Sequence, residues 1–487
     1  MNPTKTSQPV TVRTRMAPSP TGEYHVGHIA TLLKNYAYAK KHNGQFILRI
    51  EDTDQNRKVE GAVERIMSVI KAYGLDWDEG PDKEGPFGPY TQSERLPLYK
   101  EKSLELVSKG KAYYCVCSSE RLTKLREEQT AKKIPPKYDQ HCLGKQEEIQ
   151  QAIKQGAPYV IRLKTPQATT ITFTDMVRGD ISVQSEVVDD QVLLKSDGFP
   201  TYHLAVVVDD HLMNITHIMR GEEWISSTPK HVLLYQAFGW PMPQYAHIPV
   251  FLNPDGKGKM SKRRGTVAAQ SFLDQGYLPE ALLNFFMILG WTPKDQREIL
   301  TLKEYINEFE PTEISPKSVV FDLKKLDWIN GVYIRSLSLT ELKKRLVPFL
   351  PDWFEHDRID EILPLISERL VKLSDVAELT SFFFVTPDVD TKLLTAKSTP
   401  DVVKTQLTQT LAELEQTPEW DDTTIEQAIR GLQQQNEWKT SQYFMMLRIA
   451  ITGRSATPPL FETIANIPKA EIIKRLAAAT THLDKST

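Results

Sequence analysis

Hydrophobic and polar positions change period several times along this chain, and those changes divide it. Near the N-terminus VTVRTRM alternates as a strand does. IATLLKNYAYAKKHNG then places Ile29, Leu32, Leu33 and Tyr36 at helical spacing, with Gly44 where a helix C-cap is expected. QFILRIED reads as a second strand, and Ala62, Ile66, Ile70 and Tyr73 recur at helical spacing up to a stop at Gly74. Strand, helix, strand, helix predicts a parallel sheet with crossover helices.

The alternation pauses over residues 96–200, where helical stretches mix with TTITFTDMVRGDISV, and an inserted α+β module is expected there. It resumes at TYHLAVVVDD, whose unbroken apolar run predicts a buried strand. STPKHVLLYQAFGW follows as a helix capped by Ser227 or Thr228 with Pro229 in its first turn, and HIPVFL as another strand. Beyond about residue 335 strand signals nearly vanish, and IDEILPLISERLVKLSDVAEL and AEIIKRLAAAT carry helical periodicity. The expected fold class is α/β: a Rossmann-type parallel-sheet domain, an inserted α+β module, and all-helical C-terminal domains.

Composition changes this picture little. A length of 487 residues fits about three domains. With 25% charged and 40% hydrophobic residues and a formal net charge of -3, the chain is neither disordered, fibrous nor membrane-embedded, and overall charge says nothing about partners. The N-terminal stretch lacks the apolar region of a signal peptide, and runs such as FFMILGW are too short to span a bilayer. A cytoplasmic location with no membrane partner is therefore the expectation. Cys115, Cys117 and Cys142 are the only cysteines, an odd count that argues against a disulfide framework and fits a reducing compartment.

Two short stretches carry the candidate chemistry. In PSPTGEYHVGHIATLL, His25 and His28 flank Gly27 where a strand end passes into a helix, a junction whose backbone N–H groups attract anions. Gly22 and Gly27 let backbone approach a bulky ligand, and the two imidazoles share the first helical turn. KGKMSKRRG clusters Lys257, Lys259, Lys262, Arg263 and Arg264 with no acidic residue, which suits a loop that closes on a polyphosphate. Alone, the first motif reads most simply as a capped helix with surface histidines, whereas the second favours the polyphosphate loop over a solvated or RNA-touching patch. Together they point to nucleotide chemistry.

HVGH followed over 230 residues later by KMSKR resembles the paired signatures of class I aminoacyl-tRNA synthetases. RMAPSPTG, LRIEDTD, GPYTQSERLPLY, LLKSDGFPTYHLAVVVDDHLM and RGEEWISSTPKHVLLY narrow the resemblance to the bacterial-type glutamyl-tRNA synthetase family over roughly the first 335 residues. MLRIAITG carries it weakly into the C-terminal helices. The resemblance implies ATP-dependent activation of L-glutamate to glutamyl-adenylate, transfer to tRNA, magnesium accompanying ATP, and a monomer. It divides the chain into a catalytic domain (1–95 and 201–255), a connective or acceptor-binding insert (96–200), a KMSKR-containing stem-contact region (256–335) and anticodon-binding domains (336–487).

Residue by residue, it assigns His25, Gly27, His28, Lys259 and Lys262 to ATP, with His25, His28 and Lys262 catalytic. It assigns Arg15, Ala17, Ser19, Glu51, Tyr202 and Arg220 to glutamate. Two cations and one anion suit a dicarboxylate with an ammonium group, because guanidinium groups pair carboxylates bidentately. Read without the resemblance, Arg15 and Glu51 form a salt bridge between adjacent strands, Tyr202 is core and Arg220 is solvated. Family members often carry Thr where His28 stands, so His28 is assigned to ATP without being essential.

Other function classes fit less well. Glutaminyl-tRNA synthetase has an acidic residue in place of Ser19 and a different sequence at RIEDTD. A smaller HxGH nucleotidyl transferase has no use for the insert and helical C-terminus, and a glutamyl transferase acting on a tRNA base lacks the anticodon-binding helical domains that about 150 residues of helical sequence here imply. A non-catalytic RNA-binding protein predicts eroded motifs. For the cysteines two readings stand: a structural zinc on Cys115, Cys117, Cys142 and a fourth ligand, Tyr138 or His141, or three buried thiols.

Overall fold

The computed structural model describes residues 11–260 and 268–486. The chain divides into two compact units, Met1–Phe272 with Pro279–Leu323 and Leu273–Leu278 with Lys324–Thr487.

In the first unit, β1 (Arg13–Met16) leads through α1 (Val26–Lys41) to β2 (Gln45–Leu48), which pairs with β1 in parallel from Arg13↔Gln45 to Met16↔Leu48. Gly44 does not cap α1 in the left-handed conformation; Asn43 does so, at φ 50°. Close approach is what demands Gly44, since a Cβ there would lie 2.0 Å from the Val12 carbonyl oxygen. The second helix, α2 (Ala62–Ala72), ends as its pattern predicts, with Gly74 at φ 74°.

Within residues 96–200, α3 (Leu96–Ser108) precedes an antiparallel sheet in which β4 (Val160–Leu163) lies between β3 (Ala112–Cys115) and β7 (Val192–Leu194). Between β3 and β4 run α4 (Ser119–Ala131) and α5 (Gln146–Lys154). TTITFTDMVRGDISV forms a hairpin of β5 (Thr170–Asp175) and β6 (Gly179–Gln184), and burial alternates along β5 as its pattern requires.

TYHLAVVVDD is not a strand. Tyr202–Leu212 is a helix, α6, preceded by Thr201 in an extended conformation. Its residues are buried without a break from Leu204 to Asp210. A short run packed on all sides lacks the polar stripe that separates a helix from a buried strand, which is why the pattern misleads. After α6 come β8 (His217–Gly221), α7 (Thr228–Phe238) with Ser227 at its N-cap and Pro229 in its first turn, and β9 (Gln244–Ile248). HIPVFL divides, since β9 stops at Ile248 and β10 (Phe251–Leu252) pairs with Val319–Val320 instead.

β9 is central to a four-stranded sheet of order β6, β5, β9, β8. It pairs in parallel with β8, Arg220 opposite His247, and with β5 at Asp175↔Tyr245. Thr216 N donates to the Arg13 carbonyl (2.9 Å), so β8 meets the edge of β1. The hairpin of β5 and β6 thereby extends the same sheet that carries β8.

Among the described residues of the second unit every element is helical, as the periodicity predicts. Pro400–Gln416, Asp422–Gln435, Thr440–Thr452 and Lys469–Ser486 bury Leu407, Leu414, Ile425, Ile429, Leu447, Ile472 and Leu476. Buried Arg475 donates to the carbonyls of Phe382 (2.7 Å) and Ile451 (2.9 Å), placing a cation against two helix C-termini. No helix among the described residues is long and apolar enough to cross a membrane.

Candidate active site

In an open α/β sheet, side chains that serve a ligand gather beyond the carboxyl ends of parallel strands. Arg15 lies on β1, Ala17 and Ser19 in the loop after it, Glu51 just past β2, Arg220 on β8, and Tyr202 opens α6. The Glu51 N–H donates to the Pro18 carbonyl (3.0 Å), tying the two strand exits together.

The charges there are paired unequally. Arg15 donates through Nε and Nη2 to the two oxygens of Asp210 (3.1 and 3.4 Å), not to Glu51. Arg49 bridges Asp210 (2.8 Å) and Glu51 (2.9 Å). Burial opposes ionisation of Asp210, yet Arg15 and Arg49 outweigh it and hold the carboxyl below its ordinary range. Burial raises the Glu51 carboxyl, with Arg49 opposing.

Arg220 is only 6% exposed, so it is not solvated. It donates through Nε to His247 Nε2 (3.1 Å), through Nη1 to Tyr202 Oη (3.2 Å), and through Nη2 to Thr228 Oγ1 (2.8 Å). His231 Nδ1 lies 3.3 Å from Nη1. Burial pushes both His231 and His247 below the ordinary imidazole value and raises Tyr202, so these groups are neutral near pH 7. A buried guanidinium surrounded by neutral groups is costly until a carboxylate reaches it. Arg220 is thus the cation of this cluster best disposed to take a ligand anion.

His25 stands at the N-cap of α1, and its ring lies 5.6 Å from that of His28. Burial, with His25 and Lys259 adding to it and Glu223 opposing, pushes His28 down to about 4, so a neutral imidazole faces this helix start. At Gly27 a Cβ would meet nothing within 4 Å, leaving room over the first turn. Lys259 Nζ lies 3.4 Å from Glu223 Oε1, and Met260 N donates to the Phe251 carbonyl (2.8 Å). Ala268 bridges back to His25. The segment is therefore held at β10 and Glu223 on its N-terminal side and at His25 on its C-terminal side, while Lys262 lies outside the described residues.

The cysteines form a second centre. Cys115, Cys117 and Cys142 place their sulfurs within 4.8 Å of one another, and Tyr138 Oη lies 3.4 Å from Cys115 Sγ and 3.3 Å from Cys117 Sγ. A tetrahedral zinc with Zn–S near 2.3 Å needs sulfurs about 3.8 Å apart, so this donor set fits. His141 is exposed, with Nε2 next to Lys145 Nζ (3.4 Å), while Tyr138 sits inside the cluster. Arg162 covers the Tyr138 ring at 4.0 Å.

Sequence reasoning missed Arg49, Asp210, His231, His247 and Asp175. Two adjacent aspartates ending an apolar run, Asp209 and Asp210, were the available signal, since buried carboxylates demand cations. No local signal marks His247.

A histidine pair opening the helix that follows the first parallel strand, in a chain that also carries KMSKR in its sequence, fits a class I aminoacyl-tRNA synthetase. Residues 11–328 match the catalytic domain of class I tRNA synthetases (E and Q), and residues 341–480 match an anticodon binding domain. The chain belongs to this E and Q family, the glutamate and glutamine branch of the class. It is 46% identical to a glutamate--tRNA ligase of Dehalococcoides mccartyi over 97% of this chain and 99% of the other. Identity to that of Acidothermus cellulolyticus is 44%, covering 98% and 96%. A crystal structure of a glutamate tRNA ligase from Elizabethkingia meningosepticum, in complex with its amino acid, superposes with TM-score 0.87 at 33% identity, covering 97% and 100%.

Proposed function

We propose that this chain ligates L-glutamate to tRNA at the expense of ATP, through glutamyl-adenylate, acting as a monomer in the cytoplasm. The observation that carries the reading is Arg220, a buried cation whose contacts are all neutral, set on β8 within the cluster that also holds Arg15, Glu51 and Tyr202. Relatives along the whole chain bear the name glutamate--tRNA ligase, which favours glutamate over glutamine.

In this reading Arg220 and Tyr202 hold the side-chain carboxylate of glutamate, with Arg15 lending Nη1, the nitrogen not engaged by Asp210. Glu51 takes the ammonium group, and Ala17 and Ser19 line the loop that covers it. The α-carboxylate is left to attack the α-phosphate of ATP. His25 and His28 donate to phosphate oxygens across the open space at Gly27, and Lys259 and Lys262 meet the charge that develops on the departing pyrophosphate. Magnesium arrives with ATP and neutralises its phosphates. Lys259 must leave Glu223 to do its part, a separation that costs little at an exposed pair. Cys115, Cys117, Cys142 and Tyr138 hold one structural zinc, which stiffens the insert. The decisive experiment is aminoacylation of purified glutamate and glutamine tRNAs with each amino acid in turn. Glutamate transfer that requires ATP supports the reading, and transfer of glutamine alone refutes it.

A further inference from the structure

We propose that Asp175 and His247 are positioning residues for carboxylate recognition: Asp175, from the inserted hairpin, fixes the tautomer of His247, and His247 fixes Arg220. The inference rests on the glutamate reading above and adds two residues to it.

Asp175 is buried and acts as an acceptor on both oxygens. Its Oδ1 takes the backbone N–H groups of Val177 (3.0 Å) and Arg178 (3.1 Å), and its Oδ2 takes the backbone N–H of His247 (3.0 Å). The same Oδ2 lies 2.7 Å from His247 Nδ1, so Nδ1 carries the proton and donates. Nε2 is then a lone pair. That polarity is the one Arg220 requires, because a guanidinium has donors only and its Nε–H points at Nε2 from 3.1 Å. In the other tautomer two N–H groups would face each other.

Burial then separates the two sides of Arg220. Buried His247 holds Nε, and buried His231 and Thr228 each meet one terminal nitrogen, Nη1 and Nη2, from the inner side. Tyr202 is half-buried and Trp224 is 37% exposed; their oxygens lie 3.2 Å from Nη1 and 3.5 Å from Nη2. These are the terminal nitrogens that a ligand carboxylate reaches in a bidentate pair. Contrast with Arg15 gives the reason for an indirect anion. Asp210 contacts Arg15 and meets its charge outright, whereas Asp175 acts on Arg220 across one imidazole. It thus eases the burial of the cation without occupying the nitrogens the ligand needs.

Steady-state aminoacylation by the full-length chain tests this, with KM for glutamate and for ATP measured in wild type, Asp175→Asn, His247→Leu and His247→Gln. A Gln side chain can accept from Arg220 and donate to Asp175, so it reproduces the polarity of His247. Asp175→Asn and His247→Leu are expected to raise glutamate KM by about tenfold or more while ATP KM stays within about twofold, and His247→Gln to recover most of the loss. Glutamate KM within about twofold of wild type in both Asp175→Asn and His247→Leu overturns the inference. So does a parallel rise of both KM values without rescue by Gln, which marks a merely structural role. Should Asp175→Asn fail to fold, the His247 pair decides alone. A wild-type chain that transfers no glutamate overturns the proposed function itself, and this inference with it.

Discussion

Arg15 and Asp210, 195 residues apart, form a two-point ion pair in which both side chains are nearly without solvent contact. Arg49 donates to the same carboxylate, so one aspartate at the end of α6 holds two guanidinium groups from β1 and the exit of β2. The pair ties the helix to the strand ends, whereas the hydrogen-bond partners of Arg220 among the described residues are all neutral groups.

Replacing Asp210 by Ala leaves two buried guanidinium groups short of an acceptor and should cost the first unit about 3–5 kcal/mol of stability in chemical denaturation. Because Asp210 titrates below its ordinary carboxyl value when folded, its contribution is complete above about pH 4 and disappears as pH falls through the depressed folded value. The stability difference between wild type and Asp210→Asn should therefore narrow in acid. A difference that is constant from neutral pH to pH 3 would contradict the assignment.

Lys262→Ala should lower kcat for aminoacylation by about 10² or more with glutamate KM nearly unchanged, since the interaction it loses is made in the transition state. Single-turnover measurement of adenylate formation isolates the step. An equal loss of glutamate affinity would move Lys262 out of this role.

Elemental analysis of protein prepared without chelator should find about one zinc per chain, and Cys142→Ser should lose it along with thermal stability. Tyr138→Phe separates the ligand sets. Reduced zinc content in that variant supports the phenol oxygen as fourth donor, and full content assigns Tyr138 to packing alone.

What could be read from the chain and what could not follow from range. HVGH, KMSKR and the strand ends carrying Arg15 and Glu51 are local features, and local spacing is what a sequence displays. The α6 segment reads as a strand because Leu204 to Asp210 are buried on every side, which erases the amphipathic signal. His247 and Asp175 lie 72 residues apart, and Arg15 and Asp210 further still, so no periodicity links them. Only the sheet, by setting β5 beside β9 and β9 beside β8, brings that chain of groups to Arg220.

In the proposed reading glutamate is chosen by charge at Arg220, since glutamine has nearly the same shape but replaces one carboxylate oxygen with an NH2 group whose donors face a group with donors only. The direct measurement is kcat/KM for glutamate and for glutamine in wild type and Arg220→Gln. The account predicts a wild-type preference of roughly 10⁴ or more that shrinks strongly in the variant, through a large rise in glutamate KM with ATP KM little changed. Undiminished discrimination against glutamine in Arg220→Gln would contradict it, because the carboxylate would then be read elsewhere.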